Sequence, residues 1–266
     1  MVENFEFKEK YNLDDFVKIV RILRSPGGCP WDAEQTHTSI RENFLEETYE
    51  VLEAIDTNNK ELLKEELGDV LLQVMLHSDI AMTDGDFDIN DVADGVSQKM
   101  IIRHPHVFGD VKVNSTDEVL SNWDDIKRKT KSQKTQSEAM AAIPATYPAL
   151  MKAQKIQSKA KKAGFDWDSA DGAFDKIAEE TEELREALAE GNQEKIQDEL
   201  GDLLFSAVNV ARFCKCDAET SLELASKKFM KRFTAVEKLA AERGIDMKTE
   251  SVEVLDKLWE EVKNNV

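Results

Sequence analysis

The sequence predicts an all-α protein made of two tandem copies of one small helical bundle, and three observations predict it. Apolar residues recur at helical spacing, as in Leu45, Tyr49, Leu52 and Ile55, then Leu63, Leu67, Val70, Leu71 and Val74. Only 11 Gly and 5 Pro occur in 266 residues, too few for an all-β chain of tight turns. Finally, the chain repeats itself. Residues 46–76 align without gaps to 179–209 with 13 identities in 31 positions, where ordinary residue usage gives about two by chance.

The offset of 133 pairs Glu46 with Glu179, Glu47 with Glu180, Glu50 with Glu183, Glu66 with Glu199, Gly68 with Gly201 and Asp69 with Asp202. With small gaps the match extends outward. CPWD at 29–32 is similar to FDWD at 165–168, Lys99 and Arg103 answer to Lys228 and Arg232, and Trp123 to Trp259. A period this long means a duplicated domain rather than a solenoid. The expected organisation is a helical domain over 1–126, a polar linker or mobile loop over 127–142 (KRKTKSQKTQSEAMAA), and a second domain over 143–266. The basic run Lys127 to Lys134 reads as a solvated tether.

Within each copy, Asp32 with Gln35, and Asp168 shortly before Asp171, have the look of helix N-caps. The dipeptides NN at 58–59 and GN at 191–192 break the chain between two helices. Each copy is therefore an antiparallel helix pair with further helices around it. The prolines of AIPATYPAL delimit the next helix after the linker. The stretch DGDFDINDVADG begins like a calcium loop. Ile89 stands where that loop needs glycine and Gly95 where it needs a bidentate glutamate, so it reads as a loop and an N-cap.

Charge and composition exclude several functions. With 35 Lys plus Arg against 54 Asp plus Glu, the net charge of −19 repels phosphate backbones, so duplex nucleic acid is not an expected partner. Cys29, Cys214 and Cys216 are too few for a disulfide framework and complete no zinc site. The first residues lack the pattern of a signal peptide, no apolar run reaches membrane-spanning length, and a cytoplasmic protein with no membrane partner is expected.

The carboxylates carry the chemistry. Both copies place E-E-x-x-E on the first helix of the pair and E-x-x-D on the second. A spacing of three puts Glu47 with Glu50, and Glu66 with Asp69, on one helix face. Antiparallel packing then brings four carboxylates together, and so many like charges in a dry site need a cation. All-oxygen ligation suits Mg²⁺ or Mn²⁺. Val70, Leu71, Leu72, Val74, Met75 and Leu76 surround Glu66 and Asp69, which predicts a helix buried nearly all round with its acids facing an interior site. Gly68 and Gly201 each cost roughly 1 kcal/mol against alanine inside a helix. Their recurrence predicts close approach of another helix or a ligand.

Together CPWDAEQTH, the paired EExxE and ExxD, RHPHVFGD and KAGFDW resemble the MazG family of nucleoside triphosphate pyrophosphohydrolases, over nearly the whole chain. The resemblance implies Mg²⁺-dependent hydrolysis of NTPs and dNTPs, with broad base tolerance, to nucleoside monophosphate and pyrophosphate in a homodimer. It carries the functional positions to Lys176, Glu179, Glu180, Glu183, Glu199, Asp202, Lys228, Arg232 and Trp259, with Lys195 and Asp198 beside them. Glu180, Glu183, Glu199 and Asp202 are the expected metal ligands, as are Glu47, Glu50, Glu66 and Asp69 in the first copy. That chemistry suits the residues. Water attack at the α-phosphorus calls for a carboxylate to orient it, by position Glu179 or Glu46. Lys228 and Arg232, four apart, suit a grip on outer phosphates, and Trp259 suits stacking on a base. Lys99, Arg103 and Trp123 are their first-copy counterparts.

The copies differ at Lys176, where the first has Asn43, and at Lys195, where it has Leu62. The C-terminal copy is therefore the expected main catalyst. Two other readings fit the same residues: a selective house-cleaning hydrolase for one deoxy or damaged nucleotide, and a non-catalytic helical scaffold that senses nucleotide.

Overall fold

The computed structural model describes residues 5–116, 118–119, 122–123, 126, 130 and 135–263. The chain divides into two compact units, Met1–Lys127 and Arg128–Val266. The first holds helices α1 (Leu13–Arg24), α2 (Pro30–Glu34), α3 (Arg41–Asp56), α4 (Lys60–Asp84), α5 (Ile89–Arg103) and α6 (Pro105–Phe108). In the second are α7 (Gln136–Ala141), α8 (Ala149–Lys162), α9 (Ala170–Glu190), α10 (Gln193–Phe213), α11 (Ala218–Glu242) and α12 (Val252–Lys263). No strand occurs among the described residues, as the sequence pattern predicts.

Each unit is built on a long helix hairpin, α3 with α4 and α9 with α10. The turns solve one problem with different residues. Asn58 (φ 52°) makes the left-handed bend in the first unit and Gly191 (φ 69°) in the second, since asparagine and glycine tolerate that region best. Asn59 and Asn192 then cap the return helices by accepting from backbone N–H groups of Leu62, and of Glu194 and Lys195.

In the first unit α1 packs on α4. Val20, Ile40, Met75, Leu76 and Ile80 form the core, with Phe16, Val17, Leu72 and Ile89 against it. Burying each such side chain contributes about 1.5–3 kcal/mol. α1 is fixed at its start by a reciprocal capping box between Asn12 and Asp15. Gly85 ends α4 in the left-handed region, and Asp88 caps α5 with Asp91, so DGDFDINDVADG is a loop and an N-cap as read. The second unit has its core at the far end, where Val236 and Ala240 of α11 meet Leu258 and Val262 of α12.

Several expectations are corrected. Cys29, not Asp32, is the N-cap of α2, and Asp32 lies inside that helix. Ser169, not Asp168, caps α9, accepting from the Asp171 N–H. Residues 136–141 of the expected linker form α7, which packs on α8 and buries Ala139. Of the basic run Lys127 to Lys134, all but Thr130 lies outside the described residues.

The largest correction concerns the apolar stripes. On α3 the stripe faces outward, with Leu45, Tyr49, Leu52 and Ile55 each 47–55% exposed, while Ala54, Glu47 and Glu50 turn to α4. α4 is not buried all round. Leu67 is 52% and Leu71 37% exposed, and only its second half, from Gln73 through Ala81, is mostly buried. Leu188, Leu200, Leu204 and Phe205 are likewise exposed on the second hairpin. A helix normally buries its apolar face, and these faces are left uncovered by the described residues of their own unit.

Candidate active site

The two hairpins bring the predicted carboxylates together. In the first unit, oxygens of Glu47, Glu66 and Asp69 lie within 4.8 Å of one another. Glu50 is close enough to Glu47 and Glu66 to share a proton with either. Glu66 is buried, because it points from α4 into the seam against α3. Loss of solvent raises the pKa of Glu47, reinforced by the charges of Asp69 and Glu50. Solvent loss likewise raises Glu66, followed by repulsion from Glu50. Both carboxyls are therefore more easily protonated than ordinary glutamates, the signature of crowded acids that no cation offsets.

The second unit repeats the arrangement with a cation added. Glu180, Glu199 and Asp202 form one group within 4.8 Å, and Glu179, Glu180 and Glu183 form another sharing Glu180. Glu180 is the buried centre, 4% exposed. Solvent loss and then the charges of Glu180 and Glu199 push the Glu183 carboxyl up. Lys176, one turn earlier on α9, bonds Glu180 at 2.5 Å and Glu179 at 2.9 Å. Its hydrogen bonds to the Glu180 and Glu179 carboxylates raise its pKa, holding it firmly cationic. Asn43 at the equivalent place in the first unit carries no charge. Four carboxylates on two helices fit a hard divalent cation, whose ligands are oxygens and which relieves such repulsion.

Other predicted positions stand apart from this seam. Lys195 sits in the first turn of α10 and pairs with Glu190 across the turn at 2.7 Å, within electrostatic reach of Glu199. Asp198 is exposed on α10. Lys228 and Arg232 lie on α11, which packs on α12 and α8. The Arg232 guanidinium lies 6.0 Å above the Trp259 ring, and Phe229 meets the same tryptophan at 5.1 Å. In the first unit Lys99 is exposed and Arg103 half-buried on α5, while Trp123 meets His104 edge-on at 4.8 Å. Glu46 is exposed on α3 beside its outward stripe. Close approach at Gly68 and Gly201 is not supplied by the described residues, since a Cβ added at either meets none of them within 4 Å.

Buried polar groups around the hairpins were missed in the sequence. Arg212 of α10 forms a two-pronged pair with Asp166, at 3.0 and 2.5 Å, and its Nε donates to Asn209 Oδ1 at 2.8 Å. In the first unit Arg24 of α1 pairs with Asp79 of α4 at 2.9 Å and donates to the Asp32 carbonyl. Positions 79 and 212 are repeat equivalents at offset 133, so each unit buries an ion pair at this place on its second hairpin helix, acid in one and base in the other, with partners from non-equivalent positions, Arg24 on α1 and Asp166 in the loop after α8. The signal was available: a charged residue at the same place in two apolar helix segments. His37 and His77 also stack, with ring nitrogens 2.7 Å apart.

Comparison with known proteins agrees with this arrangement. The sequence profile of the MazG nucleotide pyrophosphohydrolase domain matches residues 35–108 and again 170–240. A nucleoside triphosphate pyrophosphohydrolase of Escherichia coli K12 is 43% identical over 256 residues, covering 94% of this chain and 97% of its own. The nucleoside triphosphate pyrophosphohydrolase/pyrophosphatase MazG of Thermotoga maritima is 44% identical over 250 residues, covering 94% and 95%. YabN of Bacillus subtilis, uncharacterized, is 46% identical over 254 residues that span 95% of this chain and 52% of its own. With two profile matches that coincide with its two acidic helix hairpins, this chain belongs to the MazG nucleotide pyrophosphohydrolase family.

Proposed function

We propose that the protein hydrolyses nucleoside triphosphates, NTP and dNTP alike, to nucleoside monophosphate and pyrophosphate. The C-terminal domain, 143–266, is the main catalyst. The observation that carries this reading is the carboxylate group centred on Glu180, paired with Lys176, on a hairpin inside the second family match.

Glu180, Glu183, Glu199 and Asp202 would hold Mg²⁺ or Mn²⁺, their mutual repulsion being the reason to bind it. The ion, when bound, offsets phosphate charge and makes the attacking water more acidic. Glu179, exposed and paired with Lys176, orients water towards the α-phosphorus and accepts its proton. The new P–O bond forms as the bond from Pα to the bridging oxygen of the β-phosphate breaks, and pyrophosphate leaves. Lys176 neutralises phosphate as it exchanges its carboxylate partners for substrate, and Lys195 and Asp198, on α10 ahead of Glu199, add further substrate contacts. Lys228 and Arg232 grip the outer phosphates, with Trp259 fixing the Arg232 plane from below.

In the first unit Glu47, Glu50, Glu66 and Asp69 form a weaker or regulatory metal site, with Lys99, Arg103 and Trp123 as its remaining parts. The exposed stripes of both hairpins and the uncrowded Gly68 and Gly201 support a homodimer in which these faces meet, and a cytoplasmic location belongs to the same proposal. No helix among the described residues is long and apolar enough to cross a membrane.

The test is release of pyrophosphate and monophosphate from a panel of NTPs and dNTPs with Mg²⁺. Broad turnover that Glu183→Ala abolishes and Glu50→Ala leaves largely intact is expected. Equal losses from both variants contradict the C-terminal assignment, and metal binding with no turnover on any nucleotide contradicts hydrolysis itself.

A further inference from the structure

All 4 histidines of the chain, at 37, 77, 104 and 106, lie in the first unit. Two of them meet. His37 is exposed in the turn between α2 and α3, and His77 is half-buried on α4, with their Nδ1 atoms 2.7 Å apart. The rings are parallel to within 6° and their centroids are 5.0 Å apart. That distance is the nitrogen contact plus two half-rings, so both nitrogens lie on the line between the centroids. The rings are offset so far that they meet edge to edge, which is the geometry of an N–H···N hydrogen bond. It holds only while one of the two nitrogens carries no proton.

His77 is the ring kept bare. Loss of solvent, and then the charge of His37, lowers its pKa. Charged residues on the surrounding elements are Arg24 of α1, Asp32 and Glu34 of α2, Arg41 and Glu42 of α3, and Asp88 of α5. Arg24 is spent on Asp79 of α4 at 2.9 Å. Among the described residues, His37 supplies the one charge that acts on His77. A first proton therefore goes to the exposed ring, at its other nitrogen, and makes the contact charge-assisted. A second must go to His77 Nδ1. Two donors and two positive charges then face each other, and the contact is lost.

A partner for the protonated ring is already in place. Gln73 stands four residues before His77 on the same face of α4. It is 5% exposed, and its buried Oε1 has no hydrogen-bond partner. An unpaired buried acceptor is costly, and a donor arriving from His77 relieves it. We propose that His37 and His77 form a latch that fastens the segment between α2 and α3 to α4 near neutral pH and releases it in acid, when His77 turns to donate to Gln73. Each state then has its own hydrogen bond, as a two-state element requires. The segment runs directly into α3, which carries Glu47 and Glu50 to the first carboxylate seam. The device belongs to the first unit alone, since Val210 stands at the repeat position of His77 and the second unit has no histidine.

The experiment is amide hydrogen exchange of the full-length protein by mass spectrometry at about pH 7.5 and about pH 5, either side of the ordinary histidine value of about 6.5, with intrinsic rates divided out. The reporting peptides cover 36–44, where the Ile40, Arg41 and Phe44 amides donate to the Thr36, Thr38 and Ile40 carbonyls. In the wild type these should exchange about fivefold faster in acid, the worth of one net hydrogen bond, while peptides of α9 do not change. His37→Gln should stay slow at both values, because its amide donates to neutral His77 and accepts from protonated His77. His77→Phe should be fast at both. Gln73→Met removes the waiting acceptor, so opening should need more acid. Should His77→Phe not fold, His37→Gln carries the test, its substituted side chain being exposed in the wild type. The latch is overturned if 36–44 exchanges alike at both values in the wild type. It is equally overturned if the acid response persists in His37→Gln, or if α9 loosens as much as 36–44.

Discussion

Arg212→Met is expected to destabilise the second unit by about 3–5 kcal/mol, the usual result of stripping one partner from a buried ion pair. The Arg212 side chain is 9% exposed and that of Asp166 15%. At the observed separations the gross attraction is about 5–7 kcal/mol with an effective dielectric of 20. Desolvation of both ions cancels most of it, so the pair adds little net stability while its half-removal costs much. Lys161, 3.9 Å from the same carboxylate but 61% exposed, is too well solvated to replace the guanidinium. The double variant Arg212→Met with Asp166→Leu removes both charges and should recover at least half of the loss. The exchange Asp166→Arg with Arg212→Asp keeps opposite charges facing each other and should also be milder than either single change. Urea unfolding of the full-length protein followed by circular dichroism gives these differences. A loss below about 1 kcal/mol for Arg212→Met, or a double variant as unstable as the single, would refute the reasoning.

Without metal, the raised carboxyls make the folded state take up protons at higher pH than the unfolded state does. Their repulsion therefore costs stability above the folded pKa and is relieved as pH falls through it towards the ordinary glutamate range, about 4.3. Melting temperature should rise on mild acidification from pH 7, Mg²⁺ should stabilise most near neutrality, and Glu66→Gln should flatten the metal-free slope; a steeper slope in that variant would contradict the assignment. Gly172→Ala should destabilise by about 1–3 kcal/mol and shift the tryptophan emission, because its new Cβ would stand 2.6 Å from Trp167 Cγ. Stabilisation by the helix preference of alanine would show that the ring simply moves. Leu204→Glu and Leu71→Glu place charges on the exposed stripes and should shift the protein from dimer to monomer in sedimentation. A monomeric wild type would refute that assembly.

The pairing of Glu180 with Glu199 and Asp202 was legible because it needs only helical spacing and a short turn, both written in 179–202. The duplication helped, since a feature present at an offset of 133 is read twice. Gln157, Asn209 and Asp166 were not legible as neighbours. They come from α8, α10 and the loop between α8 and α9, and only packing brings them to a single cavity. The N-caps of α2 and α9 were misplaced by a few residues, because several polar residues adjoin each helix and backbone geometry selects among them.

By itself the sequence determined that the chain is helical, duplicated, and furnished with two sets of converging acids. Periodicity marks an apolar face without saying what that face meets, and this the tertiary structure decided. In α3 Glu47 and Glu50 turn inward against α4 while Leu45, Tyr49 and Leu52 turn out. The same 3.6-residue pattern serves either orientation. The choice depends on what lies across each face, which is fixed by residues far along the chain.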